Sequence, residues 1–455
     1  MGGEFFESQS EEKYKDYEEN PFIQVSESPV STFSVDADGG AYANMRRYMQ
    51  LGQTPPKAAV RIEEFLNYFT FDYSDPASGE NVALNSELAV CPWNTEHHLL
   101  RIGMKGKSIP ENELPNSNFV FLIDVSGSMN APEKLGILKS GFKLMTDQLR
   151  DQDRVAIVTY AGSAAVLLQS TYGDKKSEIK QAIDKLGAGG STAGAEGIIT
   201  AYKIATDNFI PGGNNRIIIG SDGDFNVGPS SVDELTALIE QKRESGVYLT
   251  VLGVGTGNLN DHMMEQIANK GNGNYEYIDS ADELVKIFIQ EKSKFYTVAK
   301  DSKIQITFNP DKVNSYRLIG YENRSLENEE FEKDSTDAGE IGAGQTITAL
   351  YEVILSTNLS ASPYAQFDFR YKKPNEEESR LLTHVVNNIP STIESASENM
   401  RFAASVTAFG LLMKQSIHKG TADKQMVLDL GSGAKTFDPN GYREQFISIV
   451  NKWNP

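Results

Sequence analysis

The run Asn118-Phe119-Val120-Phe121-Leu122-Ile123-Asp124-Val125-Ser126-Gly127-Ser128-Met129 decides the fold. Its first half is a continuous apolar run, the mark of a strand buried on both faces. Its second half switches to short oxygen-bearing side chains around a glycine, the composition of a tight loop at a strand's carboxyl end. Downstream the pattern repeats. Helical spacing over 133–150 precedes strand Val155–Tyr160 and a short strand Ala165–Leu168, and helices follow over 176–186 and 194–207. Strand Ile217–Ile219, a helix over 231–244, strand Val247–Val254, a short helix over 261–269, strand Tyr275–Ile278 and a helix over 281–294 complete it. Strands alternating with helices at this spacing specify a mostly parallel sheet covered on both faces, a doubly wound α/β domain.

Working outward, the period changes on both sides. Tyr42, Met45 and Met49 fall at helical spacing until Gly52, Pro55 and Pro56 stop them, and Ile62, Phe65, Leu66 and Phe69 mark a second short helix. Alternating stretches Val82–Val90 and Leu99–Met104 follow. Beyond residue 300 the period is again two, through Ile304, Ile306 and Phe308, then Ile347, Ala349, Tyr351 and Val353, then Phe367, Phe369 and Tyr371. Between them, 324–340 is charged and reads as a mobile loop. The end is helical, with stripes Phe402, Val406, Phe409, Met413 and Phe446, Ile449, Val450, Trp453. The expected organisation is an acidic flexible tail 1–29, an N-terminal module 30–115, the α/β domain 116–298 and a C-terminal β-rich plus helical domain 299–455. The shared period of 30–115 and 301–375 predicts one β-rich unit with the α/β domain inserted in it.

Composition narrows the function classes. Asp+Glu number 63 against 43 Lys+Arg, a formal charge of −20, so nucleic acid is excluded as a partner and an anionic membrane surface is disfavoured. The single cysteine, Cys91, rules out an intramolecular disulfide and a thiolate metal cluster. No run of about 18 apolar residues is present to span a membrane. The start Met1-Gly2-Gly3 lacks the basic and apolar regions of a secretory signal, which fits a cytosolic protein or a mature exported one. Residues 4–20 read as a solvated acidic segment, ordered only if Phe5–Phe6 or Phe22 docks.

In an open α/β sheet, ligands bind beyond the carboxyl ends of the strands. Three stretches at that edge carry oxygen chemistry: Asp124 to Met129, Gly189-Gly190-Ser191-Thr192-Ala193-Gly194, and Gly220-Ser221-Asp222-Gly223-Asp224. Asp124, Ser126, Ser128, Thr192 and Asp222 make a hard, oxygen-only donor set that suits Mg²⁺ (or Mn²⁺ or Ca²⁺). Ser126 and Ser128, two apart on one tight loop, can aim their hydroxyls at one ion, while Asp222 could hold a coordinating water. With few anionic donors the ion stays electrophilic and keeps a position for an outside carboxylate.

Asp124-Xaa-Ser126-Xaa-Ser128 with Thr192 and Asp222 at these spacings resembles the metal-ion-dependent adhesion site of von Willebrand factor A (VWA) domains, over residues 117–295. The wider chain is similar to bacterial proteins in which such a domain lies between an N-terminal VWA-associated extension and an uncharacterised C-terminal region. Ser34-Val35-Asp36-Ala37-Asp38, Arg61-Ile62-Glu63-Glu64, Asp222 to Gly228 and Arg317 to Asn323 carry that wider match. The resemblance implies a Rossmann-like fold and divalent-metal-dependent protein binding, with a partner's Asp or Glu completing the metal shell. It also implies an extracytoplasmic, often lipid-anchored setting. One departure is Gly220-Ser221, where relatives often carry a bulkier residue and Thr.

Plainer readings compete. Asp-Xaa-Ser-Xaa-Ser by itself is also a helix cap. Asp224 and Glu196 read as surface charges before second-layer partners of a metal. Asp36 and Asp38 read as a turn, since no Glu closes a calcium loop. Gly253-Val254-Gly255-Thr256-Gly257 reads as a sheet-edge turn because it lacks a phosphate loop's Lys. The five histidines, His97, His98, His262, His384 and His418, have no ligand spacing, and Cys91 reads as a packed thiol. Function then divides three ways: a non-enzymatic adhesion or scaffold protein, a metal-dependent hydrolase or phosphatase with Asp124 as nucleophile, or the regulatory subunit of an ATP-driven complex. Phosphatases of that kind want a second acid two residues on, where this chain has Ser126, so the binding reading leads.

Overall fold

The computed structural model describes residues 12–190, 194–223, 232–357 and 363–454. The chain forms two compact units, one of residues 1–15 and 115–292, the other of 16–114 and 293–455.

The first unit is built on β1 (Ser117–Asp124), β2 (Arg154–Tyr160), β3 (Ala164–Tyr172), β4 (Asn214–Ser221), β5 (Tyr248–Val254) and β6 (Tyr275–Ile278). These form a six-stranded sheet in the order β3-β2-β1-β4-β5-β6, parallel except for β3, which returns antiparallel on β2. The connection from β1 leaves to one side and the chain later returns to β4 on the other. A crevice therefore opens at the carboxyl ends of β1 and β4. Register decides which side chains line it. Asp124 lies opposite Tyr160, and Ile123 opposite Gly220, so Asp124, Tyr160 and Ser221 share one face while Ile123 and Gly220 share the other. Helices cover both faces at close range. A Cβ on Gly220 would lie 2.7 Å from Leu138 of helix Ile137–Gln148, and one on Gly197 of helix Gly194–Asp207 would lie 2.8 Å from the Tyr160 Cβ. The doubly wound α/β class read from the sequence is what forms, with β3 longer than the Ala165–Leu168 segment expected.

In the second unit an antiparallel sheet runs in the order Ile23–Gln24, Val313–Ile319, Thr346–Leu355, His98–Gly106, Val82–Val90. A further antiparallel sheet joins Gly339–Gly342, Thr297–Phe308, Ala365–Lys372 and Ser379–Val386, with Val30–Ser34 also paired to Thr297–Phe308. Alternation puts Phe33, Ile102, Met104, Ile304, Ile306, Tyr351, Phe367 and Phe369 into one apolar core. Helix Glu398–Lys414, capped by Ser397, buries Phe402, Val406, Phe409 and Met413, the stripe read from spacing. Phe402 meets Phe69 at 4.9 Å and Phe409 meets Phe65 at 6.4 Å between ring centroids.

Two segments are more ordered than their sequence suggested. The acidic stretch expected to stay solvated through residue 29 is bonded from Glu12 onward: Phe22 packs edge-on to His97 at 5.3 Å, and Ile23–Gln24 pairs with Ser315–Tyr316. The charged stretch 324–340 is tied down rather than mobile. Glu327 and Glu330 close a capping box, and Asp334 accepts from Arg370 Nη2 at 3.1 Å and from the Ser379 hydroxyl. The cross-strand cations that hold it lie over thirty residues away in sequence, so local pattern hides them.

Candidate metal centre

Asp124 ends β1, fully buried, and its carboxylate is aimed by two donors. The Ser126 amide donates to Oδ1 at 2.9 Å and the Ser221 hydroxyl to Oδ2 at 3.1 Å. Burial pushes its pKa up to about 6, and the nearby Asp222 adds to the rise while these hydrogen bonds oppose it. Burial also keeps the Tyr160 phenol, on the same face, well above the usual range and neutral.

After Asp124 the chain makes a single 3₁₀ turn, Gly127–Met129, entered by Ser126 in extended conformation. That turn swings Ser128 back beside Ser126, with the two hydroxyl oxygens 3.0 Å apart. Backbone bonds lock the loop to its neighbours. Val125 N donates to Tyr160 O at 3.0 Å, Gly189 N to Val125 O at 2.7 Å, and Gly127 N to Gly190 O at 3.1 Å. The stretch leading to Thr192 is thus fastened to the Asp124 loop as far as Gly190, while Thr192 itself lies outside the described residues, as does Asp224. Glu196 accepts from Ala164 N at 3.3 Å, on the hairpin after β2.

Asp222 follows β4, fully buried. Its Oδ2 accepts from Lys134 Nζ at 2.9 Å and from Asn258 Nδ2 at 3.0 Å. Burial opposes its ionisation, but the Asn258 amide, the Lys134 ammonium and the Ser128 hydroxyl together hold its pKa below the ordinary value. Asp124 and Asp222 therefore come together with Ser126 and Ser128 at the crevice. The departure at Gly220-Ser221 also has its reason. Leu138 occupies the space a Gly220 side chain would need, and Ser221 supplies the hydroxyl that orients Asp124.

Lys134, Asn258, Ser221 and Tyr160 were not singled out from the sequence as site residues. Lys134 lies on a π-helical turn, Pro132–Gly136, and also donates to Asn258 Oδ1 at 2.8 Å. Asn258 immediately follows the glycine-rich stretch Gly253–Gly257 read as a sheet-edge turn, where Gly255 and Gly257 take φ of +82° and +90°. Those left-handed glycines were the available signal, since they bend the chain after β5 back toward Asp222.

The donor set fits a hard divalent ion. Two carboxylates and converging hydroxyls, all oxygen, suit Mg²⁺, which bonds few side chains and keeps several waters. Among the described residues no group of three or more His, Cys, Asp or Glu forms a cage, so beyond the two carboxylates any ion here relies on hydroxyls and water. The other residues weighed lie elsewhere. Asp36 and Asp38 form a turn, Asp38 N donating to Asp36 Oδ1 at 2.9 Å, and Arg324 pairs with Asp36 at 2.9 Å. His97 pairs with Glu352 at 2.6 Å, and burial pushes the Cys91 thiol far up, which makes it unreactive. No helix among the described residues is long and apolar enough to cross a membrane.

Comparison with known proteins agrees with this architecture. The family model described as von Willebrand factor type A domain matches residues 118–290, one described as von Willebrand factor matches 8–101, and one described as Uncharacterized protein YfbK, C-terminal, matches 293–455. The Escherichia coli (strain K12) protein of that description is 43% identical over 464 residues, covering 96% of this chain and 80% of its own length. A UPF0353 protein of Mycolicibacterium gilvum (strain PYR-GCK) is 30% identical over 213 residues, 41% of this chain and 63% of that one. A solved structure described as von Willebrand factor type A from Catenulispora acidiphila has a TM-score of 0.48 at 15% identity, covering 84% of this chain and 91% of that one. VWA domains are protein-interaction modules that commonly bind a divalent metal at this edge. With its VWA domain between two flanking segments and this identity across nearly its full length, the chain belongs to the bacterial YfbK family of VWA-domain proteins.

Proposed function

We propose that this protein is a metal-dependent binding module, an adhesion or scaffold protein that captures a partner's Asp or Glu through Mg²⁺ at the β1–β4 crevice. Asp124, Ser126, Ser128, Thr192 and Asp222 are the residues that hold the ion, directly or through water. The observation that carries this reading is the convergence of Ser126 and Ser128, hydroxyls 3.0 Å apart, beside a buried carboxylate that the Ser126 amide and Ser221 hold in place. When bound, the ion supplies an electrophilic position for an outside carboxylate. The chain's own part is orientation: Lys134 and Asn258 hold Asp222, and Ser221 holds Asp124. Ser126 stands where a phosphatase of this topology would carry its second acid, which favours binding over turnover. A chain at −20 repels acidic partners at long range, so a productive partner carries a basic rim around its acidic residue, and capture weakens with salt. The family resemblance extends the reading to an exported, lipid-anchored protein, which cell fractionation of the full native gene product tests.

The test pairs capture with turnover. Wild type and Asp124→Ala are assayed in Mg²⁺ and in EDTA for retention of acidic peptides and for phosphatase activity. Retention by wild type in Mg²⁺ alone, absent from Asp124→Ala and without turnover, is the expected result. Phosphate release abolished by Asp124→Ala overturns the binding reading in favour of a hydrolase.

A further inference from the structure

The loop that carries Asn258 to Asp222 is contacted by the chain's own N-terminal segment. Glu12 Oε1 accepts from the Gly257 amide at 2.7 Å, and Glu12 Oε2 accepts from the Tyr14 hydroxyl at 2.7 Å, which fixes the carboxylate. Lys13 N donates to Leu259 O at 2.8 Å, His262 N donates to Lys13 O at 3.5 Å, and Lys13 forms a parallel bridge with Asn260. The segment thus runs along Gly257–His262 through a one-residue bridge at Asn260 and contacts to the first turn of helix Asp261–Lys270, with one glutamate on the Gly257 amide. Asn258, between two residues of that strip, is the side chain that donates to Asp222. The strip and the metal edge therefore share one loop.

We infer that Gly257–His262 is a peptide-docking strip beside the metal edge, that Glu12–Tyr14 is its built-in occupant, and that a partner binds there as an extended acidic segment by displacing it. The strip's chemistry sets the partner's. The Leu259 carbonyl and the His262 amide pair with the main chain of one residue, and the Gly257 amide takes a carboxylate. Its part in partner capture rests on the metal-edge reading above. Because Glu12–Tyr14 is tethered, it competes at an effective concentration in the millimolar range, and it holds the strip until a partner adds the metal contact or further surface.

The experiment uses the full chain and its double variant Glu12→Ala, Lys13→Pro, which removes the carboxylate and the main-chain donor. Amide hydrogen exchange is followed at Gly257 and His262. Binding of a synthetic peptide with the sequence of residues 7–18, ESQSEEKYKDYE, is measured in Mg²⁺ and in EDTA. Faster exchange at both amides in the variant, and peptide binding about tenfold tighter to the variant than to wild type, are expected. Unchanged exchange at Gly257, or equal peptide affinity for the two proteins, overturns the strip. Peptide binding that gains tenfold while neither protein binds Mg²⁺ supports the strip and overturns the metal reading instead.

Discussion

At the scale of single residues, the site is an arrangement of charge about Asp222 and of direction about Asp124. Lys134 is the cation that keeps Asp222 ionised, with side-chain exposures of 10% and 0% for the pair. Removing one member of a buried pair leaves the other charge uncompensated, so Lys134→Met should cost about 3 kcal/mol in urea unfolding with EDTA present. Mg²⁺ should recover more of that stability in the variant than it adds to wild type, because it replaces the missing charge. An identical Mg²⁺ response in both proteins would contradict this role. Ser221→Ala deletes the hydrogen bond to the Asp124 carboxylate and the one accepted from the Gly223 amide, and should cost about 1–3 kcal/mol. Asp124, Ser126 and Ser128 were legible because one local run holds strand, turn and donors together. Lys134 and Asn258 were not, since Lys134 reads as one more polar residue at the start of a helix and Asn258 lies on a separate loop, and only the tertiary fold brings both to Asp222.

At the scale of elements, the crevice depends on how closely helices approach the sheet. Gly220→Ala puts a methyl 2.7 Å from the Leu138 side chain, so Leu138 must repack against the sheet and the unit should lose roughly 1–3 kcal/mol in chemical denaturation. Gly187→Ala, with nothing within 4 Å of the new methyl, is the control and should leave the midpoint unchanged. Equal effects of the two would show that packing against β4 does not set the site. Strand and helix identities were readable here because the buried strands are uninterrupted apolar runs and helix Glu398–Lys414, buried on nearly every side, still repeats Phe402, Val406, Phe409 and Met413 at helical spacing. The extra length of β3 was missed because that edge strand is half-exposed and its pattern weak. The ordered 324–340 stretch was missed for a different reason: its partners Arg370 and Ser379 come from strands placed beside it only by the tertiary fold.

At the scale of the whole molecule, the chain enters the second unit at residue 16, leaves it for the α/β domain after 114 and returns at 293. Three stretches that carried the wider family match meet inside that second unit. A Cβ on Gly320 would collide with Glu63, and Arg324 and Asn67, which lie just beyond two of the stretches, both bond Asp36, Asn67 donating to its backbone O at 2.8 Å. Glu63 is 1% exposed, and its Oε2 has no hydrogen-bond partner among the described residues. Burial pushes its pKa up from 4.5 to about 8, Glu322 and Asp36 adding to the rise. A folded-state pKa above the unfolded one means that the stabilising proton is fully in place below pH 4.5 and lost as pH rises through about 8. Wild-type Tm should therefore fall by roughly 5 °C across that window, and Glu63→Gln should flatten the slope. A slope unchanged by the substitution would assign the pH dependence to other groups. Such a buried acid could not be read from Arg61-Ile62-Glu63-Glu64, where two adjacent glutamates look like a solvated first helical turn. The central claim, that the crevice holds a divalent ion, is tested most directly by titrating Mg²⁺ into the full chain by calorimetry, beside the double variant Ser126→Ala, Ser128→Ala. One Mg²⁺ per chain in wild type and none in the variant is the predicted result. Binding that the variant retains, or no binding by wild type at millimolar Mg²⁺, would contradict it.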